Sequence, residues 1–185
     1  MLVVGGSAGS IEALLEIVGR LPADLPAAVL VTVHVGDNSR SSLPRILARA
    51  GRLPAAHARH GEPLRPGHIY VAPPDLHLLA VAGRTRLSSG PRVNRHRPAV
   101  DVMFASAARW GGDKVVALVL SGALDDGAVG SALVARAGGR VLVQDTAGAL
   151  FDSMPRAALS AVPGAVTAPA AGLAEVIGKT FDEFQ

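Results

Sequence analysis

Apolar residues fall into two kinds of run along the chain. Short continuous runs come first: "LVVG" (2–5), "AAVLVTVH" (27–34), "HIYVAP" (68–73), "KVVALVLSG" (114–122) and "RVLVQD" (140–145). Their length and β-branched content predict strands buried on both faces. Between them lie stretches with apolar residues at helical spacing: 11–21, 39–51, 99–111, 126–139, 154–162 and 172–181. Ser10 is placed as the N-cap of the first, and Ser41 or Ser42 near the start of the second, which Gly51 ends. Gly111-Gly112 stops the third. "HLLAVAG" and "RTRLSS" on either side of Gly83 predict a hairpin. Strands alternating with helices predict an α/β fold, doubly wound, with a mainly parallel sheet covered on both faces and a small hairpin added.

Such a fold focuses attention on the carboxyl ends of its strands, where ligands and catalytic groups collect. Ser7 follows the first strand, His34 ends the second, and Ser121–Asp126 follow the "VVALVL" strand. The glycine-rich turn "GGSAGS" (5–10) does not satisfy G-x-G-x-x-G, because Ser10 stands at the next small position, and no Gly-Lys-Ser/Thr follows. Gly5, Ser7 and Gly9 do fit G-x-S-x-G between a strand and a helix, the setting of a serine nucleophile. The N–H groups after it, from Ala8 on, open a helix and are suited to an oxyanion. His34 then supplies a base and "DDG" an orienting acid. Ser121 is a rival nucleophile and Asp125 a rival acid; the spacing alone leaves both open. Each residue alone also has an ordinary structural role, as a cap, a satisfied strand-end histidine or a turn.

Composition narrows the class. At 185 residues, 49% hydrophobic and 18% charged, the chain is long and apolar enough for one domain with a full core. It has no cysteine, which excludes disulfide and thiolate chemistry. The net charge is only +3, the arginines are scattered, and one Trp, one Tyr and four Phe make no stacking platform. Nucleic acid is therefore not an expected partner. No apolar run reaches the length of a membrane span and no signal peptide is evident, so the expectation is a cytoplasmic protein without membrane insertion. His57 and His60 form a metal-like pair without a convincing third ligand.

The stretches "VNRHRPAVDVMF" (93–104), "PGHIYVAPPDLHL" (66–78) and "SMPRAA" (153–158), with the Ser7 loop and His34, resemble the catalytic domain of CheB, the chemotaxis receptor methylesterase and glutamine deamidase. The resemblance runs over nearly the whole chain. It implies Ser7 as nucleophile, His34 as general base and Asp126 as the acid that orients it. It places His96 close to the active site and Ala8 and Ala123 beside the oxyanion. Arg95 and Arg97 flank His96, and their charge suits acidic groups on a substrate. The implied reaction is hydrolysis of glutamyl methyl esters on a methylated helical receptor or signalling protein, without cofactor or metal.

Three departures accompany the resemblance. The chain begins a few residues before Ser7, so the expectation is one catalytic domain over 1–185 without the family's receiver domain. A receiver supplied by a separate protein stays open. The family's "GMGxDG" loop reads "GALDDG" here, with Leu124 in place of a glycine, which puts the shape of the loop in question. "HMP" after the second strand reads "HVG" (34–36). A non-catalytic module of the same fold, docking on signalling helices, is the alternative reading.

Overall fold

A computed structural model describes residues 1–34 and 42–184. Among the described residues, nine strands and six α-helices follow one another in the order the apolar pattern predicts, with two short strands added. The strands are β1 (Leu2–Gly6), β2 (Val29–Val33), β3 (Ala55–His57), β4 (Ile69–Val71), β5 (His77–Val81), β6 (Arg84–Ser88), β7 (Val116–Val119), β8 (Arg140–Gln144) and β9 (Val166–Ala168). The helices are α1 (Ser10–Arg20), α2 (Leu43–Ala50), α3 (Val100–Gly111), α4 (Ala128–Arg136), α5 (Ser153–Ala161) and α6 (Ala170–Asp182). The expected start of α2 at Ser39, and Ser41 as its cap, lie outside the described residues.

Seven strands form one parallel sheet in the order β3-β4-β2-β1-β7-β8-β9, and β5 and β6 pair as the predicted antiparallel hairpin. Side chains of adjacent strand residues leave opposite faces. Leu2 and Val4 of β1 therefore join Leu14, Ile17, Ile177 and Phe181 under α1 and α6. Val3 between them joins Val100, Phe104 and Val134 under α3 and α4. With both faces covered, the central strands need apolar residues at every position, which is why they read as continuous runs. Among the described residues, no helix is long and apolar enough to cross a membrane.

Two elements differ from the expectation in ways that matter for the site. Ser10 does not cap α1. Gly9 is the N-cap, with φ 73°, and Ser10 opens the helix as a buried residue. The Ser10 hydroxyl instead donates back to the Ser7 carbonyl at 2.7 Å. The helix expected from 126 begins at Ala128, because Asp126 is turned inward and Gly127 takes φ 102°.

From β1 the chain winds outward to β2 on one side, and β7 later returns on the other side of β1. The reversal lies between β1 and β7, and Ser7, His34 and Asp126 follow the carboxyl ends of β1, β2 and β7. This is where an open α/β sheet forms a crevice.

Candidate active site

The Ser7 turn is braced from β7. The Ser7 N–H donates to the Ser121 carbonyl at 3.0 Å. The Ser121 hydroxyl lies within 2.8 Å of the Ala8 carbonyl and 3.1 Å of the Phe151 carbonyl, and accepts the Phe151 N–H at 2.9 Å. Ser121, the rival nucleophile, is fully buried and occupied in joining three chain segments. Gly122 follows it because nothing larger fits: a Cβ there would come within 2.9 Å of the Ser7 Cβ and closer still to the Met154 sulfur. The sharp bend after Ser7 is taken at Gly9, where a positive φ carries no Cβ penalty; Ser7 itself is not among the positive-φ residues.

His34 stands at the end of β2 with its side chain 7% exposed. Its Nε2 lies 2.7 Å from Asp126 Oδ2. Its Nδ1 is buried with no hydrogen-bond partner among the described residues. The neutral ring that this pairing favours carries its proton on Nε2 and leaves a lone pair on Nδ1.

Asp126, rather than Asp125, makes this contact. Asp125 is exposed, whereas Asp126 is 1% exposed. Both oxygens of Asp126 are engaged. Oδ2 also accepts the Val100 N–H at 2.7 Å, and Oδ1 accepts the Asp101 N–H at 2.9 Å and the Asn94 amide at 3.0 Å. Burial opposes its ionisation, but the hydrogen bonds from His34, Asp101, Val100 and Asn94 outweigh it and hold the carboxyl below its ordinary value.

His96 stacks on His34, with ring centroids 3.5 Å apart and planes 8° from parallel. It is delivered by a two-residue turn. Asn94 and Arg95 both have positive φ, 51° and 68°, and Val93 and His96 exchange backbone hydrogen bonds across them at 3.0 and 2.8 Å. This is the pattern of a type I′ turn, for which Asn at the first central position is well suited. Burial, with the nearby charges of His34 and Arg92, lowers the proton affinity of His96, against the opposing pull of Asp126.

Of the two arginines beside His96, only Arg95 is available. It is exposed and has no hydrogen-bond partner among the described residues. Arg97 is spent on structure: Nε and Nη2 reach Asp75 Oδ1 at 3.0 and 2.8 Å, and Nη1 donates to the carbonyls of Ser89 and Gly90. Ala8 and Ala123 are exposed, and neither backbone N–H is engaged by an acceptor among the described residues.

Leu124 has φ 64°. The position where the resemblance expects a glycine is thus left-handed, with strain in an exposed leucine. His57 lies on β3, and His60 Nδ1 rests against the Leu87 backbone at 3.3 Å. Among the described residues no group of three or more His, Asp or Glu side chains is placed to hold a metal ion.

Asn94 and Asp101 escaped the sequence reading although both lie inside "NRHRPAVD". The Asn94 amide and the Asp101 N–H meet Asp126 only because the N-termini of α3 and α4 converge. The available signal was an acid in the first turn of a helix whose own N-cap, Ala99, cannot cap it.

The CheB methylesterase family model matches residues 2–177. Protein-glutamate methylesterase/protein-glutamine glutaminase 2 of Anaeromyxobacter dehalogenans is 40% identical over 159 residues, covering 86% of this chain and 47% of that protein. The protein-glutamate methylesterase/protein-glutamine glutaminase of Paraburkholderia xenovorans is 40% identical over 164 residues, covering 86% of this chain and 45% of that protein. The chain spans about half the length of these relatives. The crystal structure of the Thermotoga maritima CheB methylesterase catalytic domain is similar with a TM-score of 0.92 and 30% identity, over 97% of each chain.

Proposed function

The chain belongs to the CheB methylesterase family, and on that premise we propose that it hydrolyses glutamyl methyl esters on a helical receptor or signalling protein with Ser7, His34 and Asp126 as its triad. Ser7 Oγ attacks the ester carbonyl while His34 Nδ1 takes its proton. Asp126 keeps the proton of Nε2 in place and stabilises the imidazolium that forms. The free N–H groups of Ala8 and Ala123 receive the negative charge that develops on the carbonyl oxygen. Methanol leaves with the proton from Nδ1. Water, deprotonated at the same nitrogen, then releases the acyl group as glutamate and restores Ser7. A glutamine side chain follows the same course with ammonia as the leaving group, in keeping with the glutaminase activity in the names of the relatives.

The observation that carries this reading is the buried His34 with Nε2 on an ionised carboxylate and Nδ1 without a partner among the described residues. A binding module has no use for that arrangement, since a buried polar atom without a partner costs stability. Arg95, exposed beside His96, is the residue for acidic groups flanking the ester.

The test is labelling by a fluorophosphonate followed by peptide mapping, with hydrolysis of a glutamyl methyl ester assayed in parallel. Covalent label on Ser7, absent in Ser7→Ala together with the hydrolysis, is the expected result. Retention of most hydrolysis by a folded Ser7→Ala protein would remove the triad.

A further inference from the structure

Two helices in this fold are capped by each other's carboxylates. Neither α3 nor α4 receives a side-chain cap from its own N-cap residue, Ala99 or Gly127. Asp126, directly before α4, instead accepts the first N–H groups of α3, those of Val100 and Asp101. Asp101, in the first turn of α3, returns the arrangement: its Oδ1 accepts the N–H groups of Gly127 at 3.0 Å and Gly130 at 2.7 Å, at the start of α4. Asn94 spans the two carboxylates. Its single amide nitrogen lies 2.7 Å from Asp101 Oδ2 and 3.0 Å from Asp126 Oδ1, so its two protons serve one acid each.

Helix capping alone does not call for this. A serine or threonine would cap either helix without bringing two negative charges together. Here burial and the charge of Asp126 make ionisation of Asp101 harder, against hydrogen bonds from Gly130, Asn94 and Gly127. What the arrangement achieves is orientation. With Oδ1 tied to Asn94 and the Asp101 N–H, and Oδ2 to the Val100 N–H, the Asp126 carboxylate has one allowed plane, and in that plane Oδ2 points at His34 Nε2.

Building on the triad reading, we propose that Asn94 and Asp101 are positioning residues of the active site: Asn94 fixes the plane of the Asp126 carboxylate, and Asp101 anchors the two helix N-termini that hold it. Besides these acids, the titratable and charged groups around the pair are His96, stacked on His34, and Arg92 in the same loop.

The experiment compares wild type, Asn94→Ala and Asp101→Asn as the full chain. Steady-state hydrolysis of a glutamyl methyl ester is measured across pH, and the downfield proton NMR resonance of the His34 Nε2–H is recorded in each protein. Both variants are expected to lose kcat by roughly 10–100-fold, the scale seen when outer partners that orient a histidine are removed, with KM within about twofold of wild type. In both, the Nε2–H resonance shifts or broadens. Asn94 is an exposed turn residue, so Asn94→Ala tests the proposal even if Asp101→Asn fails to fold. A folded Asn94→Ala protein with wild-type kcat and an unmoved resonance overturns it. Absence of turnover and of Ser7 labelling in the wild type would instead count against the triad reading, and the NMR comparison would still decide the positioning role.

Discussion

Asp126 Oδ2 lies 2.7 Å from His34 Nε2 and equally 2.7 Å from the Val100 N–H. One oxygen thus serves both the histidine and the N-terminus of a helix. The positive end of the α3 dipole stabilises the carboxylate, and the carboxylate in turn holds the imidazole. The acid is held by two main-chain N–H groups of α3 and by the Asn94 amide.

Replacing this acid separates it from its neighbour. Asp126→Asn is expected to lower kcat by roughly 10³–10⁴-fold, because an amide supports the wrong imidazole tautomer. Asp125→Asn, at an exposed position whose side chain takes no part in the site, should stay within about twofold of wild type. Ester hydrolysis by the two purified variants checks the ranking, and the reverse order would transfer the role to Asp125.

Ser121 is the second serine near the site, and its hydroxyl works as a brace. Ser121→Ala leaves the Phe151 N–H without its acceptor and removes the hydroxyl donor from the Ala8 carbonyl, while the Phe151 carbonyl keeps the Gly122 N–H. The expected loss is about 1–3 kcal/mol of stability, read from urea unfolding. Fluorophosphonate should still label Ser7 in the folded fraction. Loss of label with stability intact would make Ser121 the nucleophile.

Leu124 carries a positive φ of 64° with its side chain in solvent. A left-handed conformation costs a non-glycine residue roughly 1–2 kcal/mol, of which the greater backbone freedom of an unfolded glycine takes back a part. Leu124→Gly is therefore expected to be stabilising by up to about 1 kcal/mol, a rise in Tm of about 2–4 °C for a chain of this size. A lower Tm would show that the leucine side chain contributes contacts that outweigh the strain.

His96 links stability to pH. Its folded-state value is lowered from 6.5, first by burial and then by the charge of His34. Between that lowered value and 6.5 the unfolded chain binds a proton that the folded chain does not. Stability from this group is thus present above pH 6.5 and is lost as pH falls. The drop in Tm between pH 7.5 and pH 5.5 should be smaller in His96→Gln than in wild type. An equal drop would place the acid sensitivity elsewhere.

Much of this molecule is local and therefore legible in the order of its residues. Continuous apolar runs such as "VVALVL" can only be strands buried on both sides, and the helical spacing between them dictates a parallel sheet and places Ser7, His34 and Asp126 at its carboxyl edge. The edge strands β3 and β9 left no such trace: each has three residues, partly exposed, and is defined by its backbone pairing to β4 or β8 rather than by its side chains. The cap of α1 differs from the expectation for a related reason, since a serine at the start of a helix caps it or back-bonds into the turn according to where the chain comes from. Spacing leaves Asp125 and Asp126 open and only the resemblance favours Asp126; the contact that separates them, the stacking of His96 on His34 and the crossed caps of Asp101 and Asp126 all belong to tertiary structure. Residues 94–101 and 126–130 meet only when α3 and α4 pack with their N-termini together, and hydrogen bonds are too short in range and too directional for residue order alone to specify them.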